Sequence, residues 1–143
     1  MNLYIRIHNG QPFEHPILEN NFRQAFPDID VNNLPPEFAY FERVSAPPLD
    51  VYQHNLRFQY EKGIDGIYRD VWYCDEMTAE EIKEKQDAVK AQWAVNNGYP
   101  SWVFDEKTCA FVPPIAHPGD GGLYQWNEAT VSWQEALPTT KPE

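Results

Sequence analysis

The sequence predicts an α+β protein with a small antiparallel β-rich N-terminal part, one connecting amphipathic helix and two C-terminal aromatic β-hairpins. Three observations carry this. Apolar and polar residues alternate with period two over residues 3–7 and 56–60, the signature of half-buried strands, and residues 67–73 are rich in ring and branched side chains, as a returning strand would be. Thr78 followed by Glu81 is a capping box opening a run with apolar residues at helical spacing. An eleven-residue, ring-rich segment at 102–112 recurs 22 positions later. The expected parts are a β-rich domain over 1–77, the helix over 78–97, the tandem hairpins over 98–137 and a tail over 138–143.

Each element has a local cause. In the first strand Leu3, Ile5 and Ile7 alternate with Tyr4, Arg6 and His8, and Asn9-Gly10 supplies the positive φ of a tight hairpin turn. Phe22 and Phe26 lie four apart on one face of a short helix over 19–26, which Pro27 terminates. Proline pairs at 35–36 and 47–48 flank Phe38, Tyr40 and Val44, and the loss of donors there predicts an edge strand near 39–45. Leu56, Phe58 and Tyr60 alternate again, Gly63 and Gly66 bracket a loop, and residues 67–73 return as the second strand of a hairpin.

The helix is expected over 79–96. Ile82, Val89 and Trp93 form its apolar stripe, Glu80, Lys83, Glu84 and Asp87 its polar face, and Glu81 and Lys85 a well-oriented i,i+4 pair. Asn97-Gly98 with Pro100 stops it. The narrow stripe suits a strut joining two parts.

In the repeat, residues 102–112 align without gaps on 124–134 as ring, x, ring, Asp or Asn, Glu, x, Thr, x, x, ring. If residues 105–108 and 127–130 are four-residue loops, Trp102 faces Phe111 and Phe104 faces Cys109, while Tyr124 faces Trp133 and Trp126 faces Val131. All the rings then share one face. Asp105 and Asn127 can each accept a bond from the backbone two residues on, as turn chemistry asks. The connector is stiff at Pro113-Pro114 and flexible over 118–122, and the tail has nothing to bury, which predicts mobility.

Composition narrows the function classes. Leu, Ile, Val and Phe number 32 of 143 residues, near the lower limit for a folded chain, but 5 Trp, 8 Tyr and 8 Phe provide the missing core area. The net charge of -11 repels phosphate backbones and anionic membranes, so neither nucleic acid nor membrane is an expected partner. The absence of a signal-like N-terminus and of a long apolar run predicts synthesis in the cytoplasm and no membrane span. Cys74 and Cys109 are too sparse for a disulfide framework or a zinc site and read as reduced, buried thiols, Cys109 as a small core residue.

Catalytic and metal patterns are weak. Residues 28–32 carry Asp28, Asp30 and Asn32 at the first three positions of a calcium loop, but Asn33 replaces the turn glycine and Ala39 the bidentate glutamate. His8, His15, His54 and His117 are scattered, and no nucleophile, phosphate-loop or dinucleotide motif occurs. The expectation is a non-enzyme with no cofactor and no metal. The candidate binding residues are Trp102, Tyr124, Trp126 and Trp133, whose rings could stack on sugars or a partner protein. The alternative is that they pack on one another and on Trp93.

A resemblance adds context. The segments LYIRI at 3–7, GQPFEHPI at 10–17, FRQAFPDID at 22–30, PPEFAYFERV at 35–44, DGIYRDVW at 65–72 and MTAEEI at 77–82 resemble small accessory proteins of tailed bacteriophages, namely tail-fibre assembly, tail assembly chaperone-like and virion structural proteins. The likeness covers about residues 1–95, and PSWVFDE at 100–106 with YQWNE at 124–128 is similar to aromatic hairpin endings of marine and cyanobacterial phage proteins. It implies a non-enzymatic structural or assembly component of a phage tail, made in the host cytoplasm. Its partners would be other tail, baseplate or fibre proteins, with homo-oligomerisation in the particle open. No catalytic residue carries over. Many such proteins continue differently after the helix, so the hairpin repeat here points to a stable place in the particle instead of a transient assembly role. The other reading is a carbohydrate-binding module contacting the host surface through the hairpin aromatics.

Overall fold

The computed structural model describes residues 2–136 and shows an α+β chain that divides after Glu76 into two compact units. The mobility expected of the tail falls on residues outside that range.

The first unit is a five-stranded sheet of order β2-β1-β3-β5-β4 with one short helix. Strand β1 (Leu3–His8) turns back into β2 (Gln11–Leu18) through Asn9 and Gly10, both at positive φ (52° and 74°), as a two-residue hairpin requires. The sequence signals the turn but hides β2, because Pro12 and Pro16 interrupt its pattern. An edge position tolerates both prolines, and a register shift opposite Glu14, at φ 63°, bulges the strand. Helix α1 (Glu19–Ala25) follows directly.

Strand β3 (Phe38–Glu42) corrects the edge-strand expectation, since it lies inside the sheet between β1 and β5. Both proline pairs fall outside these five residues, which therefore keep every backbone donor. β3 runs antiparallel to β1 and parallel to β5 (Phe41↔Tyr68, Glu42↔Arg69), the one parallel pairing in a mostly antiparallel sheet. Strands β4 (Gln53–Lys62) and β5 (Tyr68–Glu76) form the expected hairpin, longer than the alternation alone indicates. Its turn is closed by Gly63 N–H donating to Ile67 C=O (2.9 Å) and by Gly66 at φ 83°.

Apolar residues fill both faces of this sheet. Tyr4, Phe22 and Phe38 form one cluster, joined by Ile17 from β2 and by Phe26, Ile29, Val31 and Leu34 from the segment after α1. Tyr4 and Phe22 are fully buried and stack at 4.4 Å. On the other face Ile5, Phe41 and Tyr68 pack with Leu3, Ile7, Ala39 and Tyr60. His15 on β2 meets the Tyr60 hydroxyl on β4 at 2.9 Å. These strands are opposite edges, roughly 19 Å apart in a flat sheet, so the sheet curls around the second cluster. Asp70 is buried and held by Arg43 Nη1 (2.7 Å) and Val44 N–H (3.0 Å), which pins the chain leaving β3 to β5.

The second unit contains helix α2 (Ala79–Val95) and two separate hairpins, β6 (Val103–Asp105) with β7 (Ala110–Val112) and β8 (Tyr124–Asn127) with β9 (Ser132–Glu135). The capping box forms with both its bonds. An i,i+4 ion pair forms between Lys83 and Asp87 (2.6 Å). At the other end Gly98 N–H donates to Trp93 C=O (2.8 Å) and Asn97 N–H to Ala94 C=O (3.3 Å), a Schellman motif with Asn97 at φ 54° in the left-handed position.

The hairpin register differs from expectation by two residues. Phe104 opposes Phe111 and Trp126 opposes Trp133, so Trp102 does not face Phe111 and Tyr124 does not face Trp133. The loops have four residues, but they start one residue later, at Glu106 and Glu128. Cys109 and Val131 close them at positive φ (53° and 49°), so both leave their strands. A β-branched residue in that region is strained, and nothing in the sequence signals it. Shifting a four-residue loop by one position moves the register by two, so each strand keeps its face and the rings stay together.

Candidate interaction surfaces

Trp102, Tyr124, Trp126 and Trp133 lie in one aromatic assembly of the second unit. Trp102 is its hub, with ring centroids 5.6 Å from Trp93, 5.6 Å from Tyr99, 5.8 Å from Trp126 and 6.3 Å from Trp133. Trp126 is buried and meets Trp133 nearly edge-to-face at 5.2 Å. Tyr124 joins at the margin, where His117 packs between it (5.4 Å) and Trp133 (4.9 Å). Trp93 stacks on Phe111 at 4.5 Å with an interplanar angle of 11°. Trp93 from the helix and the repeat rings therefore form one aromatic cluster.

Glu128 organises the polar side of this cluster, and the sequence gives it no prominence beyond its match to Glu106. It accepts bonds from Ser101 N–H (2.9 Å), the Ser101 hydroxyl (2.6 Å) and Trp126 Nε1–H (2.8 Å). One carboxylate on the second hairpin thereby fixes the chain entering the first. The Ser101 hydroxyl, then the Trp126 indole, hold the Glu128 carboxyl below its ordinary range, against the opposing effect of desolvation. Trp133 Nε1–H donates to Ile115 C=O (2.8 Å) and the Tyr124 hydroxyl to Asp120 (2.7 Å). The Trp102 Nε1–H is buried without a hydrogen-bond partner.

The residues considered for metal or thiol chemistry have structural surroundings. Asp30 Oδ1 accepts from Asn32 N–H (2.9 Å), a local turn. Among the described residues no three His, Cys, Asp or Glu side chains converge as metal ligands. Cys74 and Cys109 are free thiols, Cys109 buried as expected and Cys74 only half-buried. His8 packs on Phe13 at 5.5 Å. No helix among the described residues is long and apolar enough to cross a membrane.

A second surface, unmarked in the sequence reading, is the far part of the β4–β5 hairpin. β3 pairs with β5 only at Tyr68 and Arg69, so beyond Asp70 the two strands continue as a ribbon past β3. Leu56, Phe58 and Tyr73 are exposed on it. Phe58 packs on Trp72 across the strands at 5.2 Å, and Trp72 Nε1–H anchors to Val44 C=O (2.8 Å). Arg57 bridges to Asp75 (3.1 Å), and the Tyr73 hydroxyl donates to Glu61. At the turn Arg69, then Ile67 N–H, lower the Asp65 pKa to about 2. The ribbon is thus ordered by its own side-chain pairs while presenting apolar groups outward. No family model, curated protein or solved structure matches the chain.

Proposed function

We propose that the protein is a non-enzymatic structural or assembly component of a bacteriophage tail that acts by protein–protein contact with other tail, baseplate or fibre proteins. The observation that carries the contact role is the β4–β5 ribbon, with Leu56 and Phe58 exposed on it, and Tyr73 on the face opposite Phe58, on a framework held by Trp72–Val44 and Arg57–Asp75. The resemblance of residues 1–95 supports the phage setting. Glycan binding by the hairpin aromatics needs open ring faces, whereas Trp102, Trp126 and Trp133 pack edge-to-face on one another and Trp126 is buried.

The test is retention of individual tail, baseplate and fibre proteins on the immobilised chain at low and high salt. Apolar contact persists in high salt, whereas any attraction of a basic partner by the net charge of -11 is screened over about 8–10 Å. Retention lost in Phe58→Ser supports the reading. Retention of no phage protein, with binding to host polysaccharide instead, refutes it.

A further inference from the structure

We propose that the outer edge of β4 pairs with the same edge of a second copy, giving a two-fold symmetric dimer through residues 56–62. β4 ends the strand order, so its outward backbone groups have no strand partner among the described residues. The opposite edge is guarded, because β2 carries Pro12, Pro16 and the bulge at Glu14. β4 contains no proline, and Leu56 and Phe58 are exposed on it.

The regular part of β4 selects its own register. It is bounded by the register shift at Asn55, at φ 57°, and by the turn that begins at Gly63, which leaves Gln59 at its centre. Antiparallel pairing about Gln59 sets Arg57 opposite the partner's Glu61 and Phe58 opposite the partner's Tyr60, each twice by symmetry. Arg57 and Glu61 share one face of the sheet and Phe58 and Tyr60 the other, as their pairings with β5 show, so charge meets opposite charge and ring meets ring. Pairing centred on Arg57 or on Glu61 would instead oppose like charges. Both charged groups are already positioned, Arg57 by Asp75 and Asn55 C=O and Glu61 by Tyr73. A guanidinium has five donors, so Arg57 retains some for a second carboxylate. This dimer does not depend on the phage reading.

Sedimentation of the full chain over a wide concentration range is the test, with an expected mass approaching twice 16.7 kDa as concentration rises. Arg57→Glu and Glu61→Arg should each weaken association by about ten-fold or more, since two attractive cross-strand pairs become repulsive. The double variant Arg57→Glu/Glu61→Arg should regain it. Gln59→Cys, at the two-fold axis, should form an intermolecular disulfide on oxidation that the wild type, oxidised in parallel, does not. This cross-link decides the matter if a charge variant fails to fold. A chain monomeric at every concentration, folded single variants that associate like the wild type, or a Gln59→Cys chain that does not cross-link would each overturn the proposal.

Discussion

Trp126→Ala tests whether the hairpin rings are core. Trp126 is 9% exposed, lies edge-on to Trp102 and Trp133, and donates to Glu128. Truncating a buried tryptophan costs roughly 3–5 kcal/mol. The second unit runs from Met77 to Glu143, and cores of that size rarely supply more than about 3–5 kcal/mol in total. The two figures are equal, so the variant's second unit should be largely unfolded in water. Trp93, Trp102 and Trp133 belong to that unit and Trp72 to the first, so indole N–H resonances read the two separately. The expected spectrum has three indole signals collapsed to unfolded positions and the Trp72 signal still dispersed. Trp126→Phe keeps a ring but loses the bond to Glu128 and part of the indole's packing, so it should cost about 1.5–3 kcal/mol, less than Trp126→Ala, and leave a weakened fold. Dispersed signals for all the remaining tryptophans of Trp126→Ala, with an unchanged denaturation midpoint, would refute the packing argument.

Other outcomes follow from single contacts. A Cβ on Gly98 would lie 2.1 Å from Trp93 Cε2, so Gly98→Ala must displace the indole, with a cost of about 1–3 kcal/mol and a red-shifted tryptophan emission. Asp70→Ala leaves the Val44 N–H without its acceptor and frees Arg43, and should cost about 1–3 kcal/mol in thermal denaturation. The Glu128 pKa is lowered in the folded state, so its contribution is present above the ordinary glutamate pKa and is lost as pH falls through the folded value. Acid titration of hairpin resonances should show loosening below about pH 4.5, and Glu128→Gln should be destabilised at neutral pH with that acid dependence flattened.

Much of the architecture is legible in the residues themselves because its causes are local. The alternation of Leu3, Ile5 and Ile7, the Asn9-Gly10 turn, the Phe22–Phe26 helix, the Thr78–Glu81 capping box and the hairpins all act within a few positions along the chain. The grouping of rings on one hairpin face is legible for the same reason, since strand parity survives an error of two in register. Tertiary structure decided what depends on distant partners. Proline pairs outside β3 suggested an edge, but β1 and β5 enclose it, because a donor-complete strand carrying Phe38 and Phe41 completes both apolar faces. The loops begin at Glu106 and Glu128, a register that sets Phe104 opposite Phe111 and Trp126 opposite Trp133 while leaving Cys109 and Val131 left-handed. Glu128 gains its role from Ser101, 27 residues away, a distance no local pattern spans. The open edge of β4 likewise exists only once the order of five strands is known, because a strand's sequence records its alternation and not its neighbours.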